Sequence, residues 1–227
     1  ACIQKMDEAF ASRQESVGEL NGKIEDMKAN AGNFNDLYAQ LGNNGSYMDP
    51  DEYAALKDKA TSYILGQMLN GEMDTEFLSS VNPNYTQDSN YITAMNAIKS
   101  MQSASDPEKM QEYLDKAEAA ISKFLGYQNT DGTSKLVNAI NATHQKGVDA
   151  ENAEKQEAYK QELTQFIAEA EDQYIEKAMS EDSSSSQLVV YLKEASAEFL
   201  TNYLKENPEG PYDLDAVSAA YTQSMDQ

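Results

Sequence analysis

Apolar side chains begin to repeat almost at the first residue. Ile3, Met6, Phe10, Val17, Leu20, Ile24, Met27, Ala31, Phe34, Tyr38 and Leu41 follow one another at alternating spacings of three and four, and Arg13 is the one charged residue in the series. A seam held this long marks a coiled coil or helical bundle, because ordinary amphipathic helices drift off such a stripe by about 20° per heptad. The pattern predicts one helix over residues 2–42, ~60 Å long, closed by Gly42 and the Asn and Gly residues of "GNNGS" (42–46). Ile3, Met6, Phe10, Val17, Leu20, Ile24, Met27, Phe34, Tyr38 and Leu41 are the candidate interface residues. Arg13 is read as a residue that snorkels near a helix end or as a buried partner for an acid.

What covers this seam stays open at the level of sequence. The flanking positions lack the alternating Glu and Lys that choose partners in free coiled coils. Gly18, Gly22 and Gly32 each weaken an isolated helix by up to ~1 kcal/mol. Both observations favour packing on later helices of the same chain, with another chain as the alternative.

Those later segments also read as helices. Asp49 and Pro50 suit an N-cap and first helical position, and Tyr53, Leu56, Ala60, Ile64 and Met68 recur on one face before Asn70-Gly71 closes the segment. A short turn around "DTEFLSS" (74–80) precedes a helix carrying Tyr91, Met95 and Ile98. Another begins at "DPEK" (106–109) and buries Met110, Leu114, Ala117, Ile121 and Phe124. Leu136, Val137 and Ile140 mark a helix expected to end at Gly147. A second long rod is predicted over 149–180, with Tyr159, Leu163, Phe166, Ala170 and Tyr174 as its seam, and it is the candidate to lie along the first. Beyond the loop "EDSSSSQ" (181–187) come two terminal helices separated by "NPEGP" (207–211). No sustained run alternates β-branched and polar residues, so no sheet is expected. The predicted fold is all-α: eight or nine helices in an elongated bundle with two long coiled-coil-like helices. It divides into 1–46, a short-helix region 47–148 and 149–227 within one continuous helical domain.

Charge narrows the partners. With 39 acidic against 17 basic side chains the net charge is −22, which repels phosphate backbones and anionic headgroups. Nucleic acid is therefore not expected as a partner, and a membrane only through an N-terminal lipid. The single cysteine, Cys2, excludes an internal disulfide, and its place at the start is the informative part. Ala followed by Cys matches the end of a bacterial lipoprotein signal, which makes Cys2 a candidate lipid anchor. A labelling cysteine or coincidence is the alternative. The layout of Cys2 leading straight into heptads over 2–42 resembles that of small bacterial murein-type lipoproteins. Secreted bacterial tip and filament proteins also begin with heptad helices. Both resemblances imply export to the cell envelope or beyond.

Catalytic chemistry finds little footing. His144 is the only histidine, with no nucleophile motif near it, and a zinc site of the His-Glu-x-x-His kind needs two. "NTDGT" (129–133) has the Asp, Asn and Gly of a calcium loop, but Tyr127 and Asn138 stand where the first and last acidic ligands belong. A plain Asp-Gly turn is expected there. No metal, no cofactor and no enzymatic activity are expected. The composition and seam point instead to a non-enzymatic exported or surface protein that acts through helix-mediated self-assembly or partner binding. The alternative is a helical binding module of a cell-envelope lipoprotein, taking a small ligand or peptide. Lipidation at Cys2 has a direct readout in the native host: the protein enters the detergent phase, and Cys2→Ser moves it to the aqueous phase. A native protein that is aqueous and carries a free thiol removes the anchor.

Overall fold

The structure, a computed structural model, describes residues 2–42, 48–181 and 186–227. Among these the chain is all-α, with nine α-helices and one 3₁₀ turn. It divides into two compact units, Ala1–Lys146 and Gly147–Gln227. Most of "GNNGS" and of "EDSSSSQ" lies outside the described residues, as does Ala1.

The first unit holds α1 (Cys2–Asn30), α2 (Phe34–Leu41), α3 (Pro50–Asn70), α4 (Thr75–Val81), α5 (Ser89–Ser103), α6 (Pro107–Leu125) and the opening turns of α7 (Lys135–Glu181). Its centre is α3, which starts as its sequence requires: the Asp49 carboxylate accepts from the Asp51 N–H, and Pro50 occupies the first turn. From Ala60 to Leu69 every residue of α3 except Ser62 is buried, so this helix is covered on all sides rather than along one stripe. It packs against α1, α2, α5 and α6. Phe77 and Phe124, both fully buried, and Leu56, Ile64, Leu78, Ile98, Met101 and Leu114 complete one continuous core.

The predicted 2–42 rod does not run through. Helix α1 stops at Asn30, and Phe34, Tyr38 and Leu41 belong to the separate α2. The cause lies on α3. The last carbonyls of α1 have no intrahelical donor; the Asn70 side chain donates to Lys28 O (3.1 Å) and the Gln67 side chain to Ala31 O (3.2 Å). Gln67 uses its remaining oxygen to accept from the Asp74 N–H at the start of α4 (2.9 Å). Asp74 in turn caps Phe77 N and accepts from the Tyr63 hydroxyl (2.7 Å). Burial, and then the bond to Asp74, holds the Tyr63 phenol well above its usual pKa.

The second departure is at Gly147, where a helix end was expected. Helix α7 continues unbroken for 47 residues to Glu181. Positive φ, the left-handed geometry of a glycine stop, occurs among the described residues only at Gly42, Gly71 and Gly132. A glycine inside a helix costs about 1 kcal/mol, which a long helix absorbs. Gly132 does make the Asp-Gly turn predicted for "NTDGT": Asp131 accepts from the Thr133 N–H (3.0 Å) and hydroxyl (2.6 Å), and these bonds hold its carboxyl below the usual range.

The second unit is built from the remainder of α7, α8 (Ser186–Glu206) and α9 (Leu214–Met225). Leu163, Ile167 and Ala170 of α7 pack with Val217 and Tyr221 of α9. The Tyr221 ring meets Phe199 edge-on at 5.3 Å, and its hydroxyl shares a buried 2.7 Å hydrogen bond with Ser196 of α8. Gly210 lets the loop before α9 lie on the Tyr159 ring, where a β-carbon would collide, and its N–H donates to Gln156 Oε1 (3.1 Å).

At Gly66 α1 and α3 come into close approach: a β-carbon there would collide with the Met27 carbonyl and crowd Ala31. Gly66→Ala should gain up to ~1 kcal/mol of helix propensity and lose more to overpacking, ~1–3 kcal/mol. Thermal unfolding of the variant is expected at a lower midpoint; an unchanged or raised midpoint contradicts the close approach.

Candidate interaction surface

The seam read from the sequence divides into two parts with different surroundings. Leu20, Ile24 and Met27 are buried, at 4%, 8% and 3% exposure, where α1 packs against α3 and α6. On this face of α1 the cover within the first unit comes from these two shorter helices. Leu41 is buried in α2 as well. Phe34 is half-buried, edge-on to Tyr63 and Phe77 at 6.3 and 5.8 Å. Tyr38 lies at the boundary, stacked on the half-buried His144 ring with centroids 3.5 Å apart.

Towards the N-terminus the same stripe leaves the core. Val17 is half-buried, and Ile3, Met6 and Phe10 are exposed at 76%, 67% and 64%. Every residue from Cys2 to Ser16 is exposed, Cys2 included, and Cys2 forms no disulfide. Scattered apolar side chains on a surface are ordinary. Three large ones at 3–4 spacing lie on the line of the buried seam, with Arg13 and Val17 between them and it.

Arg13 sits within this stripe with its side chain two-thirds exposed. Its guanidinium lies 3.8 Å from Asp106 at the N-terminus of α6, an ion pair both of whose members face water and which contributes little. An open groove of about 580 Å³ follows between the two helices, lined by Ala9, Arg13, Ser16 and Val17 on one side and Pro107, Glu108 and Gln111 on the other. Between one and two turns beyond Val17, Lys23 makes a closer pair with Glu118 of α6 (2.6 Å), which ties α1 down beyond its exposed part.

The tyrosines of the short-helix region are engaged in ring packing. Tyr63 packs on Phe77, Tyr91 on Tyr85 and Phe124, and Tyr127 on Phe124. Burial pushes the Tyr91 phenol up to about 12. The tyrosine-bearing groove lies instead in the second unit, between α8 and α9, with Tyr191, Phe199 and Tyr203 beside Glu198, Asn202 and Gln223 and a volume of about 550 Å³. Sequence reasoning missed it: Tyr191, Phe199 and Tyr203 stand at helical spacing in α8, a pattern that core residues share. Among the described residues no three His, Cys, Asp or Glu side chains come together as metal ligands do.

The two halves of the seam should respond differently to truncation. Leu20→Ala is expected to cost ~2–5 kcal/mol, as core truncations do, whereas Phe10→Ala should stay within ~0.5 kcal/mol in dilute solution, as exposed sites do. Chemical denaturation of both variants at low concentration checks this; equal losses would place Phe10 in the core. Comparison of the chain with protein-family models, with curated proteins and with solved structures finds no match.

Proposed function

We propose that this is an exported helical protein of the bacterial envelope or exterior, not an enzyme, whose work is self-assembly through the N-terminal half of α1, with Cys2 as its lipid anchor. The observation that carries the reading is the exposed run Ile3, Met6 and Phe10, which extends a buried seam in register beyond the point where the fold covers it. Each such side chain left in water forgoes ~1.5–3 kcal/mol that burial would supply. Within the first unit the ion pairs and burial that hold α1 begin at Arg13, and the residues before it carry an apolar face with the spacing a second helix needs.

Self-assembly makes mass depend on concentration. Sedimentation across roughly a hundredfold range should show the wild type associating, while a Met6→Glu/Phe10→Glu double variant stays monomeric with its dilute-solution melting temperature intact. A wild type that is monomeric throughout, with a melting point independent of concentration, overturns self-assembly and leaves a binding module built on the α8/α9 groove as the better reading.

A further inference from the structure

The direction in which two copies would meet is written in the stripe. Positions 3, 6, 10, 13, 17 and 20 are spaced three, four, three, four, three, a series that is the same from either end. Turned end over end, the stripe therefore matches itself, with Met6 on the other copy's Val17 and Phe10 on its Arg13. Packed parallel, it would place Arg13 on Arg13. The guanidinium keeps its charge at any ordinary pH, so a parallel seam holds two like charges in one layer, which opposes association. Packed antiparallel, each guanidinium instead covers the face of the other copy's Phe10, a favourable cation–ring contact. Asp7 of that copy lies within one helical turn of it. Arg13 is free to do this because its pairing with Asp106 is long and solvent-exposed.

We infer that two copies of this chain pair antiparallel through residues 3–17 of α1, with Phe10 of each against Arg13 of the other. The inference rests on the self-assembly reading above and adds its geometry. Leu20 is 4% exposed in its own core, so the shared seam ends at Val17, and Ile3 abuts the other copy where α1 meets its fold. Four layers make a small interface, of the kind that forms and separates with concentration rather than permanently.

In the chain expressed without a lipid, Cys2, exposed and the only cysteine, accepts a nitroxide with no substitution needed. In the antiparallel pair the two labelled positions are nineteen residues apart along the axis, about 28 Å; in a parallel pair they are side by side, with about 10 Å between helix axes. Dipolar spectroscopy at a concentration where sedimentation shows dimer should give the longer distance, and Arg13→Glu should weaken the dimer by about tenfold, the loss of ~1.4 kcal/mol that the paired ring contacts allow. A dimer with adjacent labels, or with labels beyond the measurable range, overturns the antiparallel pairing and leaves self-assembly standing. A monomer at every concentration overturns both.

Discussion

The first unit depends on how closely α1 approaches α3. Gly66 has no side chain, the Met27 carbonyl occupies the space one would need, and Ala31 closes the contact. Because the two backbones nearly touch, the Gln67 and Asn70 amides can reach the carbonyl end of α1. Without Gln67 the buried Ala31 carbonyl would lose its partner, at ~1–3 kcal/mol; Lys28 O, in an exposed bond, also accepts from the Ala31 N–H. The same Gln67 side chain then receives the first N–H of the Asp74 cap. Thus one small residue and two amides decide where α1 stops, where α2 begins and how α4 starts. All of residues 60–69 of α3 except Ser62 are buried as a consequence, for α1, α2, α5 and α6 all pack on it.

This also explains which features were legible in the sequence. Helix starts at Asp49-Pro50 and Asp106-Pro107 were readable because the capping groups sit beside the backbone they satisfy. The seven-residue seam was readable for the same reason: periodicity is a local property. The end of α1 was not, since its acceptors are matched by side chains 36 and 42 residues further along. "NAGN" (30–33) held a local hint in its two asparagines and one glycine, but an unbroken apolar register through Ala31, Phe34 and Tyr38 outweighed it. Register and continuity are separate properties. Leu41 is buried and Phe34 half-buried even though the helix they were assigned to has ended, while Leu37, off the seam, is buried and Tyr38, on it, lies at the boundary. At Gly147 the error ran the other way: a glycine taken as a stop needs positive φ and a partner for the freed carbonyls, and α7 supplies neither.

A seam can therefore mean two things in one helix. From Leu20 to Met27 it is core, covered by α3 and α6; from Ile3 to Phe10 the same spacing has nothing of the first unit on it. Spacing alone carries no information about which part is which, because cover comes from chain folded in from elsewhere. What marks the boundary is the ring of groups around Val17, where the aliphatic stripe changes from exposed to half-buried and Lys23 pairs with Glu118 one to two turns on.

Electrostatics bear on the direction of any pairing more strongly than the apolar residues do. A chain of net charge −22 repels its own copies over most of its surface. Within residues 2–18 there are only three acids, Asp7, Glu8 and Glu15, against Lys5 and Arg13, the only arginine in the chain. Approach along α1 thus meets little repulsion from the helix itself, while Arg13 penalises one of the two directions. If Cys2 carries a lipid, the antiparallel direction has a further consequence. Two anchors then lie at opposite ends of the paired segment, so both can reach one membrane only when the pair lies along its surface. A parallel pair would stand upright on adjacent anchors and lift both folds away from the headgroups, but it would do so with two guanidinium groups facing each other in a narrow seam.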